Sequence, residues 1–534
     1  MTKMSRLFSF KEKSFLDKIS ILNQIAVDGT QEEIDELIAL STSPSGDNTI
    51  DTMIFHTLRD LLQVNESITV QLLDSKKKDH LELALGIISR RKFLSAVEKL
   101  SSVYFSQSNN LVKNDIMLVM MDLAPERFID LFRTEILNSD SLLSSSAIKG
   151  ISLCGDHSQD EFLQKLIRDN EHPDRYHKCA LSTAQAIETL IKLGGDSNLR
   201  FLSGSLHHKN PTARRLIIEQ LAQIGDAIIP YLTPVFNEGN NDQKVLAANL
   251  IGMTKGKLGG DILLSVLDQG KAQDPNVRFA VYEALGSFQS MKSFICLVEA
   301  LQEKDHLILI SVLTALDHYD FPFVTTKVSE NINPATPHGQ EIIKALIDSE
   351  AETLIRKLHS IPALQESISA VLCQAQKSRS SEVINKLCQD LIKMPKACSC
   401  EKPEIPTGPS IIAADDSLAI RKFYESTLSS AGFKIRTAEN GQKAYDMLQY
   451  DHYDLLITDL NMPNMDGIEL AGKVRSENSI RHIPIIMVTT ESESSQRNLA
   501  EKQKIDAYVN KPIKPDILLQ TIHSLIPVDS VSST

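Results

Sequence analysis

Tyr453-Asp454-Leu455-Leu456-Ile457-Thr458-Asp459-Leu460-Asn461-Met462-Pro463 is a short apolar run that ends by delivering an aspartate. Two other apolar runs end in the same way: residues 411–414 lead into Asp415 and Asp416, and residues 483–488 into Thr489 and Thr490. A fourth, residues 507–509, is followed by Asn510, Lys511 and Pro512. In an open parallel sheet the carboxyl ends of the strands share one edge, and that edge is the binding crevice. The pattern therefore predicts three carboxylates, a hydroxyl and an ammonium gathered on one edge.

Working outward, the last 125 or so residues alternate strand and helix. Strands are predicted at 411–414, 434–438, 455–458, 483–488 and 507–509, with helices at 417–431, 441–449, 467–476, 492–502 and 515–525. Crossovers this short demand a doubly wound α/β domain with a parallel sheet. Three aspartates on one edge repel one another unless a cation neutralises them. Mg²⁺ suits the role, being hard, oxygen-seeking and able to bridge carboxylates and a phosphate. An aspartate can then act as nucleophile toward phosphorus, while a lysine and a threonine hydroxyl hold the phosphoryl oxygens. No glycine-rich phosphate loop is present, which points to a small or protein-bound phosphoryl donor rather than a nucleotide.

Upstream the pattern is helical. Asp274-Pro275-Asn276-Val277-Arg278-Phe279-Ala280-Val281-Tyr282-Glu283-Ala284-Leu285-Gly286 carries an apolar stripe at Val277, Ala280, Val281, Ala284 and Leu285. Asp274 is placed to cap this helix, with Pro275 in its first turn. The same layout starts at Asn210, Asn240 and Asp305, so successive starts are 30, 34 and 31 residues apart. Weaker copies begin near Asp140 and Asp174. Paired helices with a period in the low thirties predict a solenoid, each hairpin burying its face on its neighbours. A non-repeating helical bundle is the alternative. The expected organisation is a lead-in (1–48), helical repeats (49–332), a helical extension or small bundle (333–393, with helices at 340–358, 362–375 and 380–393), a Pro-rich linker (394–410), the α/β domain (411–527) and a tail (528–534).

The chain has 534 residues, 42% hydrophobic and 23% charged, with a formal net charge of −13. That charge, with no basic stripe, argues against nucleic acid as the main partner. Seven cysteines without a regular framework suggest a reducing compartment. Cys154, Cys179, Cys296, Cys373 and Cys388 read as buried small residues, and the lone Cys398-x-Cys400 as linker thiols lacking further metal ligands. His207-His208, at a turn, likewise lacks partners for a metal. The N-terminus lacks a signal-peptide pattern and no run is long enough to span a membrane, so no membrane insertion and a cytoplasmic location are expected.

Two resemblances follow from these motifs. The repeats are similar to the HEAT family, most closely at 274–286, whose short form reads D-P-x-V-R-x-x-A-x-x-A-L-G. Residues 411–526 resemble the receiver domain of two-component response regulators, particularly the chemotaxis type. The resemblance places the family's acidic pair on Asp415 and Asp416 and its phosphoacceptor on Asp459. Its switch threonine falls on Thr489, its lysine on Lys511 before a commonly cis Lys511-Pro512 bond, and its switch aromatic on Tyr508. It implies that Asp459 attacks a phosphohistidine of a histidine kinase or phosphotransfer protein. Mg²⁺ would be held by Asp416, Asp459 and the carbonyl of Asn461, with Asp415 contributing mainly through a bound water. Thr489 and Lys511 would grip the phosphoryl group, and Asn461 and Glu491 would tune hydrolysis toward a short-lived state. One departure stands out: the family's Gly-Ala pair before the last strand is here Lys504-Ile505. No DNA-binding element follows residue 527, so the output is expected in protein–protein interactions of the repeats. A receiver-regulated enzyme or a constitutive scaffold are the alternatives.

Overall fold

The computed structural model describes residues 5–42, 47–169, 181–254, 256–378, 381–392, 408–490 and 504–526. Expectations placed on Glu491, the helix at 492–502, Cys179, Cys398, Cys400, the repeat start near Asp174, the tail, and all but the last three residues of the 394–410 linker lie outside these. The chain forms two compact units, residues 1–162 and 163–534.

Among the described residues, the regular elements of the first unit are all helices: α1 (Phe15–Asp28), α2 (Gln31–Ser41), α3 (Asn48–Leu62), α4 (Glu66–Gln71), α5 (Lys78–Arg91), α6 (Val97–Ser106), α7 (Asn110–Leu123), α8 (Ile129–Glu135) and α9 (Ser141–Cys154). The lead-in thus carries more structure than its sequence announced. Ser14 caps α1, accepting from the Asp17 amide, and Leu22 and Ile25 are fully buried on that helix. Thr30 and Glu33 form a reciprocal capping box at the start of α2. Glu33 also takes two charge-assisted bonds from Arg6, at 2.7 and 2.8 Å.

Helix α10 (Asp160–Asp169) spans the boundary between the units. The second unit continues with α11 (Leu181–Leu193), α12 (Asp196–Gly204), α13 (Pro211–Ala222), α14 (Ile229–Glu238), α15 (Asn241–Thr254), α16 (Lys257–Asp268), α17 (Pro275–Leu285), α18 (Met291–Glu299), α19 (His306–Asp317) and α20 (Val324–Ser329). The four clearest repeat starts read from the sequence are each a helix cap. Asn210, Asn240, Asp274 and Asp305 accept hydrogen bonds from backbone amides of α13, α15, α17 and α19. These four helices pack side by side in order. Close approach is built in at one position: Gly252 and Gly286, each twelve residues past its cap, meet Ala284 and Ala315, each ten past the next. A Cβ on Gly286 would stand 2.8 Å from that of Ala315. The histidines are structural: buried His208 bonds to the Ile167 carbonyl and accepts from the Asn210 amide, and His207 pairs with Gln243.

The predicted helix at 340–358 is two helices, α21 (Pro337–Asp348) and α22 (Glu352–His359), followed by α23 (Pro362–Ser378) and α24 (Glu382–Leu391). Glu350 adopts φ 52°, a left-handed conformation that no α-helix contains, and it breaks the run. Of the described cysteines only Cys388 is buried. Cys154, Cys296 and Cys373 are partly exposed, because their helices turn only one stripe inward.

The α/β domain is a five-stranded parallel sheet of β1 (Ser410–Ala414), β2 (Lys434–Ala438), β3 (Leu455–Asp459), β4 (Ile485–Thr489) and β5 (Ala507–Asn510), ordered β2-β1-β3-β4-β5. Helices α25 (Leu418–Ser430), α26 (Gly441–Tyr450), α27 (Gly467–Ser476) and α28 (Pro515–Leu525) connect and cover it. Strands β1, β3 and β4 are buried almost throughout, as a sheet covered on both faces requires. β4 begins two residues later than its apolar run, because Pro484 has no amide to give the ladder. Among the described residues, no helix is long and apolar enough to cross a membrane.

Candidate functional site

Parallel register decides where the polar groups arrive. Ala414 pairs with Ala438 and Thr458, Asp459 with Val488, and Thr489 with Asn510. All the strands therefore release their chains at one edge. Asp415 and Asp416 follow β1, Asp459 ends β3, Thr489 ends β4 and Lys511 follows β5.

At that edge the Lys511 ammonium lies 3.1 Å from Asp415 Oδ2 and 3.3 Å from Asp459 Oδ2. Asp415 is fully buried, and its other oxygen accepts the Ser417 amide at 2.9 Å. Asp459 is 6% exposed and accepts the Leu460 amide at 2.8 Å. Burial pushes the Asp459 carboxyl up, Lys511 pulls it down and Asp415 raises it again, leaving it at about 6. Asp416 keeps contact with solvent, yet the surrounding protein, then Asp415 and Asp459, raise its pKa well above the ordinary range. Burial would lower the Lys511 ammonium, but Asp415 and Asp459 outweigh it and hold Lys511 firmly charged.

Carboxylate oxygens of Asp415, Asp416 and Asp459 lie within 4.8 Å of one another. One ammonium against three carboxylates leaves excess negative charge among oxygen donors only, and a hard divalent cation fits such a set. Asn461 borders the same space. Thr489 is 3% exposed, and its carbonyl accepts the Lys511 amide at 2.9 Å. The Lys511-Pro512 bond is cis. Tyr508 stands apart from the acidic edge: it pairs with Met487 inside the sheet and packs, half-buried, against the domain core.

The model of the response regulator receiver domain matches residues 411–523. The chemotaxis protein CheY1 of Helicobacter pylori is 36% identical over 118 residues, which is 22% of this chain and 95% of that protein. The chain belongs to the response regulator receiver family. CheY of Pseudomonas aeruginosa is 34% identical to the receiver over 116 residues, 94% of its own length. Among solved structures, CheY4 of Vibrio cholerae shares 32% identity and aligns over its whole length with 22% of this chain, at a TM-score of 0.22.

Several receiver residues that matter were not evident from sequence. Tyr424 on α25 is fully buried, and its phenol is pushed well up by burial and then by Asp415. Arg475 donates to the carbonyls of Lys504, Arg481 and Ile483 and to the carboxylate of Asp506, fixing the entry to β5. Lys504, where the sequence resemblance leads one to expect glycine, adopts φ 53°. Glu283 on α17 accepts from the Ser417 hydroxyl, and Asn276 Nδ2 donates to the Lys511 carbonyl at 3.0 Å. Nothing in a helical repeat consensus marks Glu283 or Asn276 as belonging to a site 130 to 240 residues downstream; only their register on the helix could have raised the question.

Proposed function

We propose that this protein is a two-component response regulator in which Asp459 accepts a phosphoryl group from a phosphohistidine on a histidine kinase or phosphotransfer protein. The observation that carries the reading is Lys511 held 3.1 and 3.3 Å from Asp415 and Asp459 at the carboxyl edge of the sheet. A carboxylate oxygen of Asp459 attacks phosphorus, a P–O bond forms, the P–N bond to imidazole breaks, and the imidazole nitrogen keeps the electron pair and takes a proton. Lys511 neutralises charge on the transferred oxygens, and Thr489, one residue past the strand partner of Asp459, offers them a hydroxyl. Asp415, Asp416, Asp459 and the Asn461 carbonyl would hold Mg²⁺. Bound there, the ion supplies charge neutralisation and a template for the phosphoryl oxygens.

The switched output is protein–protein interaction by the helical repeats, which we assign to a HEAT-like solenoid from the cap repeated at 210, 240, 274 and 305 and the close packing of Gly252 on Ala284 and Gly286 on Ala315. Asn461 on the active edge supports a role in tuning hydrolysis, and Tyr508 on β5 one in relaying the switch. A cytoplasmic location accords with the four described cysteines being free thiols. The test is incubation with Mg²⁺ and acetyl phosphate, read by intact mass. A gain of about 80 Da (one phosphoryl group) that disappears in Asp459→Asn is expected. Equal labelling of both proteins would refute Asp459 as the acceptor.

A further inference from the structure

The receiver does not stand apart from the repeats: residues 163–534 form one compact unit. Besides the Lys422–Glu350 pair, the polar contacts that join them recur at one register of the helices that open successive repeats. Two residues past the cap, Thr212 donates to Asp466 at 3.1 Å, and Asn276 to the Lys511 carbonyl. Five past it, Arg215 reaches the Asn464 carbonyl and pairs with Glu469 at 3.3 Å. Nine past it, Glu219 accepts the Asn464 amide and Glu283 accepts from Ser417, while Asn249 lines the space between them.

That space is a cavity of about 380 Å³, walled on one side by α15 and α17 and on the other by Asp416, Asp459 and Lys511. A small phosphoryl donor fits it. A histidine carried on a folded domain does not, because the helices occupy the ground that domain would need.

Building on the phosphoacceptor role of Asp459, we propose that the solenoid is a docked cover over its own receiver's phosphorylation edge, and that Glu283 makes docking and phosphorylation mutually exclusive. The carboxyl of Glu283 accepts from Ser417, next to the acidic pair; burial first, and Asp415 after it, push its pKa up to about 7, so a further negative charge across the space weighs directly on it. Transfer to Asp459 replaces a carboxylate of charge about −1 with an acyl phosphate of about −2. The added charge falls in a space lined by three carboxyl groups, those of Asp416, Asp459 and Glu283, and one ammonium. Coupling of this kind is reciprocal: whatever factor phosphorylation takes off docking, docking takes off phosphorylation. Release also uncovers Thr212, Arg215, Glu219, Asn249, Asn276 and Glu283, on three successive repeats, the surface a protein partner would then meet.

The experiment is hydrogen exchange on the full chain, with and without Mg²⁺ and acetyl phosphate, with intact mass taken on the same samples. On gaining about 80 Da, the wild-type chain is expected to exchange the amides around Asn464 and Ser417 about tenfold faster or more, within the usual range for coupled sites. Glu283→Gln keeps a hydrogen-bond acceptor for Ser417 but loses the charge, so labelled Glu283→Gln stays protected. Asn276→Ala loosens the dock without touching the charge and still opens on labelling. A labelled wild-type chain with unchanged protection overturns the cover while leaving Asp459 as acceptor. A labelled Glu283→Gln chain that opens like wild type overturns the role of Glu283. No labelling at all removes the acceptor reading and this inference with it.

Discussion

The Lys422 ammonium on α25 sits 2.8 Å from the carboxylate of Glu350, the residue whose left-handed backbone separates α21 from α22. Glu350's side chain is 6% exposed and Lys422's 21%, so the pair is largely withdrawn from water. The break that the sequence hides is what turns this carboxylate toward the receiver.

Removing one partner of such a pair strands the other in a dry place, at a cost of roughly 1–3 kcal/mol. Lys422→Met is expected to lower protection of α25 against hydrogen exchange accordingly. The Glu350→Gln, Lys422→Met double variant should lose less than the sum of the singles. Strict additivity would show that the two groups do not interact.

Asp459 pays for its position through its proton. Its folded pKa of about 6 lies above the unfolded value of about 3.9, so the folded receiver holds a proton that the unfolded chain releases. Stability contributed by this group therefore falls as pH rises from about 4 to 6, and stays reduced above that window. Asp459→Asn is expected to raise the thermal stability of the metal-free protein at pH 7 by on the order of 1–2 kcal/mol while abolishing labelling. Mg²⁺ should stabilise wild type more than the variant. A variant less stable than wild type without metal would contradict this.

In the first unit the sign reverses. Arg6 holds Glu33 down to about 2, so this carboxylate stabilises the fold above its unfolded pKa of about 4.3, and the contribution is lost as pH falls toward 2. After allowance for the 29% exposure of Arg6, the effect is about 1–2 kcal/mol. Arg6→Gln should flatten the acid limb of unfolding of this unit between about pH 4.5 and 2; an unchanged limb would show that the pair contributes nothing.

Repeat packing can be tested at Gly286, where any side chain meets Ala315. Gly286→Val should push α17 from α19 and cost about 1–3 kcal/mol. Gly225, with open space around its missing side chain but φ 68°, offers a control in which the cost is backbone strain alone.

Lys504 occupies a left-handed backbone that favours glycine by about 1 kcal/mol. Lys504→Gly is expected to raise receiver stability by a little under that amount, since glycine also frees the unfolded chain. A loss of stability would mean that the lysine stem contributes packing.

Much of this was legible in the chain because local chemistry announces itself. An apolar run that ends at a charged group, a capping aspartate before a proline and a period near thirty each have a local physical cause. Asp415, Asp459 and Lys511 could be placed on one edge because each follows or ends an apolar run that a parallel sheet directs the same way. Glu350 was read through, because a glutamate is an ordinary helix residue and its turn is imposed by what α21 and α22 pack against. Glu283 went unremarked for a related reason. Its partner is distant in the chain, and a carboxylate on the outside of an amphipathic helix looks like solvated surface until something is packed there.

The ninth-position rule has a consequence for the length of the array. Glu219, Asn249, Glu283 and Thr314 occupy equivalent marks on a ruler, and each mark carries different chemistry. Excising one repeat would keep the stacking intact and slide the scale by one division. Ser417 would then face an amide or a hydroxyl where it now faces a carboxyl, so repeat number is itself a setting of the switch.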